Sequence, residues 1–147
     1  MKKHAFLGAA GWDRPEWSDA FYPSDMPEEW RLTYYNTQFD CVFLAASAWR
    51  QSDAAIYESW AGDTHEHFLF LLEDARPEEL PAVLAGRARG IARDDPRLLW
   101  FDRRTSLKVL AARLAPPDSE APLYLISQDG EMGQIERVRT LLELMGL

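Results

Sequence analysis

The hydrophobic and polar positions of this chain alternate in a regular order along its length. Short, continuously apolar runs are typical of strands buried on both faces, and stretches with apolar residues at helical spacing follow them. The apolar runs predict five strands, at about Ala5–Ala10, Cys41–Ala46, Phe68–Leu72, Leu98–Phe101 and Leu123–Ile126. The amphipathic stretches predict five helices, at about Pro27–Gln38, Asp53–Ala61, Pro77–Arg93, Ser106–Leu114 and Gln134–Met145.

Local signals support several of these boundaries. Pro27 suits the first turn of a helix, where a missing backbone N–H costs nothing. Ser52 or Asp53 can cap the second helix, which we expect to end near Gly62. The segment 115–120 is rich in proline and acidic residues and is the clearest loop.

Five strand-then-helix units predict an α/β fold with a parallel sheet and right-handed connections. We expect one domain over residues 1–147. A complete eight-unit barrel needs about 250 residues, so an incomplete TIM-barrel-like sheet of about five units is the favoured architecture. The alternative is a five-strand, doubly wound, three-layer sandwich.

A partial barrel wound in chain order would place every helix on one side of the sheet and leave the inner face bare. Parallel sheets are normally covered on both faces. We therefore expect a homodimer that packs through the uncovered sheet face, in preference to a rearranged sheet with helices on both sides.

Charge and cysteine content narrow the classes of function. The chain has 16 Lys and Arg against 24 Asp and Glu, a net charge of −8, which disfavours nucleic acid as a partner. The single cysteine, Cys41, lies in an apolar run and is expected to be a buried, inert thiol. No apolar run is long enough to span a membrane, and the first residues do not resemble a signal peptide. We expect an acidic cytoplasmic protein with no membrane partner.

A basic segment is the one local exception to the acidic composition. It contains six arginines between acidic residues: Arg87, Arg89, Arg93, Arg97, Arg103 and Arg104. We expect these side chains to be solvated rather than to form a nucleic-acid patch, and nucleic-acid binding through Arg87–Arg104 is kept as an alternative function.

Working residues of parallel α/β sheets lie at the carboxyl ends of the strands, so these ends define a candidate ligand-binding rim. Its members here are Trp12, Asp13, Trp49, Arg50, Glu73, Arg76, Asp102 and Arg103. The acids could act with Arg50 in a hydrolase or isomerase. The tryptophans Trp12, Trp17 and Trp49 could form a pocket with Arg50, but we favour their plugging the barrel mouth and packing on Phe21 and Tyr22.

The histidines offer a weaker candidate. His65 and His67 flank Glu66 just before the third predicted strand, and His4 precedes the first. All three would lie at the amino end of the sheet, which is not where barrel active sites lie. We expect exposed loop histidines, no metal and no cofactor.

The order and spacing of one set of residues resembles the YecE-like family, domain of unknown function 72. The resemblance covers about residues 5–76, with a weaker echo at about 123–144. It rests on Gly8, Gly11-Trp12, Trp17, Phe21-Tyr22-Pro23, Tyr34-Tyr35, Phe39, Arg50, Trp60 and Phe68-Leu69-Phe70. It implies a TIM-barrel-like fold in a family whose biochemical role is not established.

Four departures from the family pattern bear on function. Phe43 and Ala45 stand where the family has a glutamate and an asparagine, Ala48-Trp49 replaces an aromatic pair, and Glu73 replaces a lysine. Buried polar groups are costly unless they bind something, so their exchange for apolar residues indicates that a ligand site has been lost. We therefore expect a shortened, divergent member of the family that has no catalytic residues. It is expected to act as a self-associating binding or interaction domain, with room for a small-molecule ligand at the rim.

Overall fold

The computed structural model describes residues 4–114 and 121–147 of the chain, so the predicted loop 115–120 lies outside the described residues. Six strands alternate with helices in these ranges. The strands are β1 (Ala5–Ala10), β2 (Cys41–Leu44), β3 (Leu69–Glu73), β4 (Ala88–Ile91), β5 (Leu98–Phe101) and β6 (Leu123–Ser127). The helices are α1 (Arg31–Gln38), α2 (Ala46–Trp49), α3 (Ala54–Asp63), α4 (Leu107–Leu114) and α5 (Met132–Leu144). None of the helices within the described ranges is both long and apolar enough to cross a membrane.

The predicted helix Pro77–Arg93 is wrong. The chain instead makes two short 3₁₀ turns, Pro77–Glu79 and Ala82–Leu84, and then the strand β4. Gly86 has φ +80°, a conformation that interrupts a helix and favours glycine. Gly90 is also required in β4, because a Cβ built there would lie 1.8 Å from the carbonyl oxygen of Ala75. The sheet therefore has six strands where the pattern predicts about five.

The other predicted elements are present with small shifts. The first helix begins at Arg31 because residues Glu28–Trp30 form a 3₁₀ turn. The second strand stops at Leu44, and the next residues turn into the short helix α2. Asp53 caps α3 as expected, since its carboxylate accepts a hydrogen bond from the Ile56 N–H at 3.0 Å.

All strand pairs in the described residues are parallel, and the sheet order is β4-β3-β2-β1-β6-β5. Strands β1 to β4 are neighbours in chain order, while β6 pairs with the other edge of β1. In a closed eight-strand barrel the last strand also returns to the first. The order is that of a barrel that lacks two strands between β4 and β5.

The sheet is strongly curled. The rings of Phe43 in β2 and Trp100 in β5 have centroids 4.9 Å apart. Those two strands are three positions apart in the sheet, which would separate them by ~14 Å if the sheet were flat. Only six residues, 92–97, connect β4 at one edge of the sheet to β5 at the other. The favoured fold class, an incomplete TIM-barrel-like α/β fold, is thus confirmed.

The inner face of this curled sheet is a core made of strand residues alone. Its buried members are Cys41, Phe43, Leu69, Leu71, Ile91, Leu98, Tyr124 and Ile126. Because no helix residue packs in this cluster, the doubly wound three-layer alternative does not fit. Phe43 is 1% exposed and Leu71 0%, so the expectation of a bare inner face is wrong. Curling lets the sheet cover its own inner face, which removes the reason given for a dimer through that face; the homodimer itself stays a prediction.

The outer face packs against the helices and the aromatic loop that follows β1. Trp17 is 1% exposed and stacks on Phe39 with centroids 6.0 Å apart. The hydroxyl of Tyr35 accepts a hydrogen bond from the Ala9 N–H at 2.8 Å and donates one to the Cys41 carbonyl at 2.7 Å. This buried phenol therefore joins β1 to β2, and burial raises its pKa far above the ordinary value.

Candidate functional site

The carboxyl ends of the strands form one mouth of the incomplete barrel, which we call the carboxyl mouth. Glu73 ends β3, and Arg93 follows β4 by two residues in the connection to β5. Phe43 and Trp100 approach from β2 and β5. Four elements thus bring one acid, one cation and two aromatic rings together.

Arg93 lies over this mouth. Its guanidinium carbon is 5.1 Å from the ring centroid of Phe43 and 5.1 Å from that of Trp100. The Trp100 indole N–H donates a hydrogen bond to the Arg93 carbonyl at 2.9 Å, which fixes the backbone there. A cation held over two ring faces gains cation–π attraction and covers the apolar core below it.

Glu73 holds the Arg93 side chain in place. One carboxylate oxygen accepts from the Arg93 Nε–H at 3.0 Å, and the other accepts from the Ala46 N–H at 2.9 Å. The hydrogen bond from the Ala46 backbone, assisted by Arg93, lowers the pKa of Glu73 below its ordinary value. Glu73 is therefore ionised at neutral pH and is poorly suited to act as a general acid.

Trp49 and Arg50 extend this arrangement. Trp49 is 3% exposed, and its indole N–H donates to the Glu73 carbonyl at 2.9 Å. Arg50 lies over the Trp49 ring at 4.8 Å and pairs with Glu79 at 3.3 Å. Arg76 also pairs with Glu79, at 3.2 Å, so this acid is shared by two arginines.

The remaining predicted rim residues are also engaged, at separate places. Asp13 pairs with Arg31. Arg103 pairs with Asp129 at 3.1 Å, and Asp102 accepts from the Arg104 N–H at 2.8 Å within a turn. The structure therefore brings Trp49, Arg50, Glu73 and Arg76 together and places Asp13, Asp102 and Arg103 elsewhere on the rim.

The tryptophans of the first loop do not plug the mouth. Trp17 packs edge-on against Phe21 and Tyr22, as expected, but it does so in the outer core. Trp12 packs on Trp60, with centroids 5.3 Å apart. The residues that cover the mouth are Phe43, Arg93 and Trp100.

Sequence reasoning missed Arg93 as a site residue because the pattern of residues 77–93 predicts a helix. It missed Trp100 because the pattern of the strand Leu98–Phe101 does not show that this ring lies at the mouth. A cleft of about 440 Å³ remains beside the covered mouth, lined by Asp74, Arg93, Trp100 and Gln128, among others. Pro77, Pro81, Gly86 and Gly90 are the signal that could have shown an irregular segment with a strand at its end.

The basic segment does not form a continuous patch. Arg87 donates to the Thr64 hydroxyl and lies over the Phe70 ring, and Arg93 is held by Glu73. Arg103 pairs with Asp129. Three of the six arginines are thus committed to contacts within the chain, so the segment does not present six free cations to a phosphate backbone.

The opposite ends of the strands carry the histidines, as expected. His65 and His67 are exposed, and the His67 N–H donates to Nδ1 of His65 at 3.1 Å. Among the residues that the structure describes, no three His, Cys, Asp or Glu side chains are grouped to hold a metal ion.

The fold and the site together define a curled, incomplete α/β barrel with a charge-paired carboxyl mouth. Residues 6–75 match the family described as "Protein of unknown function DUF72". The resemblance seen in the sequence is therefore confirmed over that segment, which is just under half of the chain.

Among solved structures, the chain is similar to a DUF72 family protein from Thermotoga maritima, with 15% sequence identity and a TM-score of 0.46. The alignment covers 98% of this chain and 63% of that one, so this chain spans less than two thirds of its length. The search of curated proteins found no match.

Proposed function

We propose that this protein is a non-catalytic interaction domain that associates with a second copy of itself. The proposed absence of catalysis rests on one observation: the Arg93 side chain covers the carboxyl mouth. Barrel enzymes perform their chemistry at this end of the strands. Here Phe43 occupies the inner position where the family has a glutamate, and Arg93 lies over its ring.

The charges of the rim support the same proposal. A general acid needs a pKa raised toward the working pH. The hydrogen bond from the Arg76 N–H lowers the pKa of Glu79 below its ordinary value, against a smaller rise from desolvation. Desolvation acts to raise the pKa of Asp129, but hydrogen bonds that include the one from the Arg103 N–H outweigh it, so this pKa is also lowered. Both carboxylates are also ion-paired. Neither is therefore suited to be the general acid of a hydrolase or isomerase that uses Arg50 and the rim acids.

Self-association is proposed through a groove between α4 and α5. The groove has a volume of about 360 Å³ and an apolar floor that includes Leu107, Leu141 and Leu144. Leu144 is 81% exposed, an unusual position for a large apolar side chain. Glu136 and Arg137, of opposite charge, also line it.

A second copy of the chain suits this groove because a two-fold axis makes the surface complementary to itself. Glu136 of one copy would face Arg137 of the other, and the leucines would cover each other. This face differs from the inner sheet face expected from the sequence, which is already covered.

The test is light scattering at about 50 μM, with two matched variants. We expect the wild-type protein at about twice 16.9 kDa and Leu144→Glu near 16.9 kDa. Val109→Glu is the control, because Val109 is 59% exposed on α4 and does not line the groove. A monomeric wild type, or equal dissociation by both variants, would contradict the proposed interface.

The non-catalytic part is tested by thermal scanning with sugar phosphates, nucleotides and divalent metals. We expect no shift in melting temperature that depends on Glu73. A shift that is lost in Glu73→Gln and kept in Arg89→Gln would indicate a working carboxyl mouth and overturn this part of the proposal.

A further inference from the structure

The amino ends of the strands form a second mouth, which we call the amino mouth, with a cavity of about 510 Å³. Ligand pockets for small molecules typically have volumes of about 300–1,000 Å³. Phe6 of β1, Leu69 of β3 and Arg89 of β4 line the cavity from three strands. It lies at the opposite end of the sheet from Glu73 and Arg93.

The cavity has an apolar wall. Phe6 is half-buried and its ring contacts that of Tyr124, with centroids 5.7 Å apart. Leu69 is 7% exposed and extends the same wall, while Gly86 leaves space beside it. A flat apolar group of a ligand could lie against this surface.

The acids of the amino mouth already have partners. One oxygen of Asp40 accepts from the Leu7 N–H at 3.0 Å. Glu66 pairs with His67 at 3.4 Å. Each of these contacts occupies one oxygen of its carboxylate.

Arg89 differs from these acids. It is exposed, it lines the cavity, and its guanidinium makes no hydrogen bond or ion pair with any residue in 4–114 or 121–147. A guanidinium presents its N–H groups as a fork that fits carboxylate and phosphate oxygens.

Tyr124 supplies an independent observation. The residue is 2% exposed, and its hydroxyl has no hydrogen-bond partner within the described ranges and is not shielded from solvent. Burial raises the pKa of the Tyr124 phenol, and the charges of Arg89 and Arg97 act against that rise. The ring of Tyr124 contacts that of Phe6, which lines the cavity, and this position makes its hydroxyl the second donor that we assign to the ligand.

We propose that the amino mouth binds a small organic anion. Its carboxylate or phosphate pairs with the Arg89 guanidinium and accepts from the Tyr124 hydroxyl, and its apolar part lies on Phe6. This site is separate from the carboxyl mouth and from the α4–α5 groove, so it stands or falls independently of the proposed self-association.

The experiment is calorimetric titration of the full chain with four probes: phenyl phosphate, benzoate, inorganic phosphate and neutral benzyl alcohol. We expect at least one of the two aromatic anions to bind more tightly than inorganic phosphate, and benzyl alcohol not to bind. The stronger of phenyl phosphate and benzoate identifies the anionic group. Absence of heat with both aromatic anions would overturn the proposal.

Matched variants locate the site. Arg89→Gln is expected to weaken the aromatic anion at least tenfold, because it removes the charge and keeps most of the side-chain length. Arg104→Gln is the control, an exposed arginine at the other end of the strands. Equal weakening by both variants would indicate diffuse attraction to arginine and contradict the site.

Tyr124→Phe tests the second contact, since it keeps the ring packing on Phe6 and removes only the hydroxyl. We expect several-fold weaker binding with an unchanged melting temperature. Unchanged affinity would remove Tyr124 from the site, and unchanged affinity in Arg89→Gln as well would overturn the proposal.

Discussion

The carboxyl mouth and the amino mouth of this barrel are built from the same strands but differ in whether their arginines have ion-pair partners. At the carboxyl mouth, Glu73, Glu79 and Asp129 each pair with at least one arginine, and Arg93 covers the core. At the amino mouth, Arg89 lines a cavity with no ion-pair partner in the described chain. The proposals made above therefore assign a structural role to the end that barrel enzymes use for chemistry and a binding role to the opposite end.

The largest expected effect comes from opening the core beneath the carboxyl mouth. Phe43→Ala removes a ring that is 1% exposed, and we expect a loss of about 3–5 kcal/mol in the free energy of unfolding, measured by urea denaturation. Its counterpart at the amino mouth is Phe6→Ala, where the half-buried ring is expected to cost about half as much. Equal losses would mean that the two mouths are equally closed.

A smaller effect is expected from the covering arginine. Arg93 is 51% exposed, so solvent screens its pairing with Glu73, and Arg93→Ala is expected to cost about 1 kcal/mol. A double-mutant cycle with Glu73→Gln should show a favourable coupling of about 0.5 kcal/mol. Arg89→Ala is the comparison at the amino mouth, and the absence of a partner predicts a change within about 0.5 kcal/mol. A costly Arg89→Ala would show that this arginine has a structural role.

The smallest effect is a pH dependence. The pKa of Glu73 is lowered in the folded protein, so its ionised form stabilises the fold above the ordinary glutamate pKa of about 4.3. That contribution is lost as the pH falls through the folded pKa, because the unfolded chain then binds the proton more readily. Unfolding measured from pH 7 to pH 3 should therefore show a shallower loss of stability in Glu73→Gln than in the wild type. Parallel curves would contradict the ion pair.

The alternation of apolar and amphipathic runs was sufficient to predict the parallel sheet. The loss of a ligand site inferred at Phe43 requires that this side chain face the inside of the barrel. The inner cluster contains Phe43, as this requires, whereas Ala45 lies beyond the end of β2 and outside that cluster. The curl of the sheet was not predictable from periodicity, because it depends on contacts such as Phe43 with Trp100 between strands distant in sequence.

The covering role of Arg93 was missed for a related reason. Apolar residues at helical spacing between Pro77 and Arg93 predict a helix, although the same stretch contains two glycines. Gly90 is instead the residue that lets β4 approach the Ala75 carbonyl. The charge pairs at the rim were equally hidden, because a sequence lists acids and arginines without showing which ones meet.

The central position of β1 has a consequence for how the protein is made. Its two neighbours, β2 and β6, come from the early and late parts of the chain, so one edge of β1 stays unpaired during synthesis until β6 emerges. An open parallel edge invites pairing with other chains, and contacts between distant segments form slowly. Until then the nascent chain carries an aggregation-prone edge, which β6 covers in the folded protein.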